Sequence, residues 1–224
     1  MSLHRIISSA LSGPIITLAL TLASTATATA QDLPGFGDSE ARPTGTPFKL
    51  PEGLELTVVS YNPFDPDTCK RPDADPAEEA PPAQGLAAGQ VNLCLQFRNT
   101  TRQRIDVDLP PGLVWISSSQ ENQNGMFFER MQLEVPSEQY LFAPIKGDCL
   151  NPSRSAPGPG IPYEIGPLTD SRDIREALGL MAGADLSDPM VSATASMLMK
   201  PLYAGKPLTQ ETRRDLMELP RRQG

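Results

Sequence analysis

The chain carries one histidine, His4, and it sits in a segment that reads as a removable export signal. Without imidazole, the remaining residues offer no serine or cysteine nucleophile activated by histidine and no histidine-ligated zinc or copper centre. An amine base is the next choice, but none of Lys49, Lys70, Lys146, Lys200 and Lys206 follows a serine at the Ser-x-x-Lys spacing. Carboxylates remain. Asp106 and Asp108 share one strand face and could in principle serve glycoside hydrolysis, although alternating aspartates on an outward face are ordinary solubility chemistry. Asp65, Asp67, Asp73 and Asp75 supply oxygen ligands of the kind calcium takes, but prolines interrupt them and the spacing completes no calcium loop. The thioethers of Met181, Met190, Met197 and Met199 suit copper(I), yet most fall on helical apolar stripes where methionine packs a core. No metal or other cofactor is therefore expected.

Thiol chemistry rests on Cys69, Cys94 and Cys149. Three cysteines are too few for a disulfide framework, so one bridge and one leftover thiol are expected. Three pairings are open. Cys94 falls inside a predicted strand whereas Cys69 and Cys149 lie in or beside loops, which favours Cys69 with Cys149. Asn99-Thr100-Thr101 matches a glycosylation acceptor, and a turn explains the same triplet.

The export reading comes from His4 and Arg5, the apolar stretch Ile15 to Leu22, and the small residues ending in Ala28-Thr29-Ala30. Residues 1–30 are thus expected to be cleaved before Gln31, with no cysteine there for a lipid. Loss of Arg5 leaves 18 basic residues (19 less one) against 27 acidic ones, a net charge of −9 (18 − 27). Such a chain does not seek nucleic acid. Stable membrane insertion after cleavage is not expected either, because the apolar stretch is short of the ~20 residues a span requires. Arg213-Arg214 and Arg221-Arg222 form a local basic cluster, read as a solvated helix face.

These residues must be positioned by strands first and helices last. Residues 31–50 are punctuated by Pro and Gly and read as an extended, mobile leader. Leu54, Leu56 and Val58 alternate with polar neighbours, as a half-buried strand does. Residues 62–90 shift to Pro, Ala, Asp and Glu and read as a long acidic insertion, mostly disordered. Val91, Leu93, Leu95 and Phe97 define the clearest strand, with Cys94 on its other face. Ile105, Val107 and Leu109, the run Leu113 to Ile116, then Met131, Leu133 and Val135, and finally Tyr140 to Ile145 continue the series. The spacing predicts an antiparallel β-sandwich domain over 51–150. Residues 151–168 read as a Pro/Gly-rich connector wrapped over it. A helical tail over 169–224 is expected to hold three short amphipathic helices: one starting at Thr169 to Ser171, one after Asp188 with Pro189 in the first turn, and one with Thr209 near its cap.

The succession of strand, Asn99-Thr100-Thr101 turn, alternating strand and Leu109-Pro110-Pro111-Gly112-Leu113 resembles the immunoglobulin-like modules common in bacterial envelope proteins. It covers residues 54–150 and implies an immunoglobulin-like β-sandwich, though no cysteine pair flanks Trp115 at the antibody-domain spacing. The expected protein is a periplasmic or secreted non-enzymatic binding or structural module whose partner is another exported or envelope protein, in an oligomeric state left open. Trp115, Asn122, Gln123, Asn124, Gly125 and Phe127 are its candidate interaction edge. Two alternatives stand beside it. One is an inhibitor or accessory subunit presenting the loop Ser117 to Gly125 or Pro110-Pro111-Gly112, and the other is a hydrolase working through carboxylates alone.

Overall fold

The computed structural model of the protein describes residues 32–75, 79 and 81–223; the export signal expected over residues 1–30 lies outside them. The fold is mainly β with three helices at its C-terminal end. The strands are β1 (Gly45–Thr46), β2 (Leu54–Ser60), β3 (Gln84–Gly85), β4 (Val91–Asn99), β5 (Ile105–Leu109), β6 (Leu113–Ser117), β7 (Gly125–Met126), β8 (Met131–Val135), β9 (Tyr140–Cys149) and β10 (Pro162–Thr169). The helices are α1 (Arg172–Leu180), α2 (Pro189–Tyr203) and α3 (Gln210–Met217).

The expected sandwich is replaced by a closed barrel. Strands run in the order β10-β2-β4-β9-β7-β6, and β6 returns to pair with β10. Closure depends on residues expected to wrap loosely over a sheet. Pro162 opens β10, while Gly166 and Pro167 fall where its register with β6 shifts between Ile165 and Leu168, so the segment enters the sheet without demanding regular ladder bonds throughout. β5 and β8 form a separate two-stranded ribbon in register from Ile105↔Val135 to Leu109↔Met131, and its inward side chains join the barrel core.

The β4 alternation falls as its sequence implies. Val91, Leu93, Leu95 and Phe97 fill the barrel with Trp115 and Phe127, whose rings lie 5.1 Å apart. β6 is buried on both faces, which explains its unbroken apolar run. Leu113 and Trp115 point into the barrel, whereas Val114 and Ile116 point outward and join a second core with the helices.

Each helix starts at a capped turn. Ser171 accepts from the Ile174 amide, Asp188 accepts from the Met190 and Val191 amides ahead of Pro189, and Thr209 accepts from the Thr212 amide. Ile174, Ala177 and Leu178 of α1, Ala195, Met199 and Leu202 of α2, and Leu216 of α3 then meet around one core. Arg213 and Arg221, read as part of a solvated face, are structural ties, while Arg214 is exposed as that reading has it. Arg213 grips Glu176 and donates to the Leu208 carbonyl, and Arg221 donates to the carbonyls of Leu180 and Met217 at the ends of α1 and α3.

The leader is not an extended free arm. Phe36 is buried in the helical core with its ring 5.9 Å from that of Tyr203. Gly35 and Gly37 hold positive φ on either side of it, and a Cβ at Gly37 would lie 2.8 Å from the Tyr203 carbonyl oxygen. The acidic insertion is likewise anchored at both ends. A short 3-10 turn, Pro66–Cys69, holds one end, and the parallel pairing of β3 with β9 together with buried Leu86 holds the other.

The disulfide joins Cys69 to Cys94, not Cys69 to Cys149. Cys94 sits on the outward face of β4, between Leu93 and Leu95, and the 3-10 turn folds across that face beside Tyr61. The preference for loop cysteines fails because Cys149 ends a strand on a different side, facing α2.

Candidate functional site

Two arrangements of side chains have chemistry to offer. The first is a buried acid and thiol with a part-buried amine where β9 meets α2. On α2, Ser196, Lys200 and Tyr203 follow at intervals of four and three residues, so they share one helical face. All three address Asp148. Lys200 Nζ donates to Oδ1 at 3.0 Å and Oδ2 at 3.1 Å, Tyr203 Oη donates to Oδ2 at 2.8 Å, and Ser196 Oγ donates to Oδ1. The same ammonium lies 2.9 Å from the Cys149 carbonyl oxygen and 3.0 Å from Cys149 Sγ. Cys149 is a free thiol. Burial pushes the Tyr203 phenol well above its ordinary range, and the neighbouring Asp148 carboxylate pushes it further. Sequence reasoning missed this cluster; the helical spacing of Ser196, Lys200 and Tyr203 was the available signal.

The leader roofs that cluster, held by two buried asparagines. Asn151 Nδ2 donates to the carbonyls of Gly35 (3.0 Å) and Gly37 (3.1 Å), and Asn124 Nδ2 donates to Gly35 as well (3.1 Å). Asn151 Oδ1 in turn accepts from the Asn124 amide. A depression of about 580 Å³ runs between the leader and α2, with Lys200 in its wall.

The second arrangement is an open cleft of about 510 Å³ between α1 and the chain following β7. Pro111, Phe128, Leu178 and Met181 supply apolar lining, and Arg130, Arg175 and Arg222 bring positive charge. Arg130 pairs with Asp108, and Arg222 donates to Glu129 at 2.7 Å. Arg175 is exposed, lines the cleft and makes no ion pair among the described residues. Burial raises the Glu129 carboxyl above its usual range, Arg222 opposes that rise, and Asp185 adds to it.

The candidate edge residues are mostly interior. Trp115, Gln123, Asn124, Gly125 and Phe127 are buried, and only Asn122 is partly exposed. Their polar members staple loops together: Gln123 Nε2 donates to the Arg154 carbonyl, and its own carbonyl accepts from Tyr163 Oη at 2.6 Å. Burial pushes the Tyr163 phenol up to about 12. Asp106 and Asp108 point to solvent as expected of an outward strand face. Met181 and Met199 are core residues, whereas Met190 and Met197 are 76% and 65% exposed, so the four do not gather. Among the described residues no cluster of His, Cys, Asp and Glu could hold a metal ion, and no helix is long and apolar enough to cross a membrane. Comparison of the chain with models of protein families, with curated proteins and with solved structures finds no match.

Proposed function

We propose that the protein is an exported binding module of the cell envelope that acts through protein–protein contacts, and that the cleft beside α1 receives an acidic, partly apolar segment of another exported protein. The supporting observation is the gathering of Arg130, Arg175 and Arg222 around an apolar floor in a chain whose acidic residues outnumber its basic ones by 27 to 19. Locally reversed charge of this kind steers a complementary partner and selects against others. Apolar surface bordered by such groups supplies the burial that holds it. The reading rests on this cleft and not on immunoglobulin-like ancestry.

Arg175 is the informative side chain because no ion pair within the described residues depends on it. In mild cross-linking of the full exported chain, Arg175→Glu is expected to lose at least tenfold of the partner retained by the wild type. Equal retention by both proteins would contradict the proposal.

One observation favours a second reading, hydrolysis by carboxylates alone: Glu129 lines the cleft, half-buried, with its carboxyl raised by burial and by Asp185. Polysaccharide cleavage abolished by Glu129→Gln would establish that reading, and absence of turnover across acidic pH would remove it.

A further inference from the structure

Cys149 and Lys200 form a pair that the binding cleft does not use. The thiol is 4% exposed, while the lysine side chain is 31% exposed and forms part of the depression under the leader. Their reacting atoms, Sγ and Nζ, are 3.0 Å apart, nearer than unbonded sulfur and aliphatic nitrogen need to be unless they share a proton. Asp148 holds the amine in place from the other side through both carboxylate oxygens. Lys200 is held further by the Cys149 carbonyl, so the amine cannot swing away from the sulfur without giving up several bonds.

We propose that Cys149 and Lys200 are an oxidative modification site at which one oxygen atom becomes bonded to both Sγ and Nζ. A direct sulfur–nitrogen bond would require β9 and α2 to draw together, whereas one bridging oxygen asks only for a slight approach of the two atoms from their 3.0 Å separation. The oxidant is dioxygen, small enough to enter beside Lys200 through the depression. The S–H bond and two N–H bonds of the ammonium break, and S–O and O–N bonds form. One ammonium proton passes to the Asp148 carboxylate; the other released hydrogens leave with the second oxygen atom as water. Sulfur and nitrogen each give up two electrons, and the four together reduce dioxygen. The thiol, ammonium, carboxylate and dioxygen thus become a bridged pair, a carboxylic acid and one water, with charge conserved.

The link has a mechanical consequence. Cys149 ends a barrel strand, and Lys200 lies in the last turn of α2, so oxidation ties the helical tail covalently to the barrel. The reduced form holds the same joint by an ion pair and hydrogen bonds alone. The site is therefore a redox-responsive clasp on the tail, next to a chain that already carries one disulfide.

The test uses the full exported chain, prepared once without oxygen and once after prolonged exposure to dioxygen, each alkylated while unfolded and without reductant. Mass spectrometry of the exposed sample is expected to show the intact protein heavier by one oxygen and lighter by two hydrogens. Its digest is expected to join the peptides containing Cys149 and Lys200, with Cys149 no longer alkylated. The oxygen-free sample should alkylate at Cys149, and Lys200→Arg, which keeps the charge beside Asp148, should alkylate there after either treatment. Full alkylation of the exposed wild type would overturn the proposal. So would oxygen uptake confined to an unlinked Cys149 peptide.

Discussion

Lys200 Nζ donates to both carboxylate oxygens of Asp148, at 3.0 and 3.1 Å, and in doing so joins the helical tail to the barrel. The acid is almost fully buried whereas the amine keeps contact with solvent. Removing the charge from the buried side leaves Lys200, Tyr203 and Ser196 competing for a weaker acceptor. Asp148→Asn is expected to lower unfolding stability by about 3 kcal/mol. Loss of the exposed pair Arg98–Glu55 should cost under about 1 kcal/mol. Urea unfolding of both variants measures the contrast, and equal small losses would remove Asp148 as the joint.

The disulfide closes a loop with a sequence separation of 25 around the acidic insertion. Chain entropy assigns such a closure about 3.5 kcal/mol. Cys94→Ala is expected to lose stability on that scale, and peptide mapping without reductant should find Cys69 bonded to Cys94 in the wild type and in Cys149→Ser alike. A Cys69–Cys149 peptide would contradict the arrangement.

The leader is held by side chains that its own sequence does not contain. Asn151→Ala leaves the carbonyls of Gly35 and Gly37 short of a donor and the Asn124 amide short of an acceptor. A loss of about 1–3 kcal/mol is expected. Hydrogen exchange should rise first at residues 33–39, the segment that packs Phe36 against Tyr203. Unchanged exchange there would show that the leader is held by other means.

Acid should loosen α3 from α1 before it unfolds the barrel. The Leu208 amide donates to Asp173 and lowers its carboxyl below the usual range, with Arg172 assisting; Arg213 lowers Glu176 in the same direction. Groups depressed in the folded state bind protons more weakly than in the unfolded chain, so their contribution is present above the ordinary carboxylate range. It is lost as pH falls through the depressed values. Hydrogen exchange across α3, followed down the acid limb, is expected to accelerate ahead of β4 and β9. Simultaneous loss would contradict this order.

Local signals in the sequence carried the helical tail and the inward face of β4. Ser171, Asp188 and Thr209 cap helices through side-chain oxygens that accept from amides two or three residues on, and Val91 to Phe97 alternate because one strand face is buried; both effects act over a few residues. Closure of the barrel was not legible, because β10 carries Pro162, Gly166 and Pro167, which locally signal a break. Only its neighbours β1, β2 and β6 make it a strand. The buried cluster was half legible. The helical face of Ser196, Lys200 and Tyr203 is written in the spacing, but nothing in the chain places Asp148 opposite it. The same long-range placement turned Gln123 and Asn124 from a supposed edge into internal staples.

The cleft beside α1 gives the proposed function its most direct test at Gly179, which lies at its border in the last turn of α1. A Cβ built there meets nothing within 4 Å, so the side chain of Gly179→Leu starts from open space at the border of the cleft. Helix propensity leaves the variant at least as stable as the wild type, by about 0.5 kcal/mol. The two proteins are recovered from their native source in parallel under mild cross-linking and compared by mass spectrometry. The account predicts an exported partner held by the wild type and absent from Gly179→Leu at an equal or higher melting temperature; the same partner recovered in equal amount with both would contradict it.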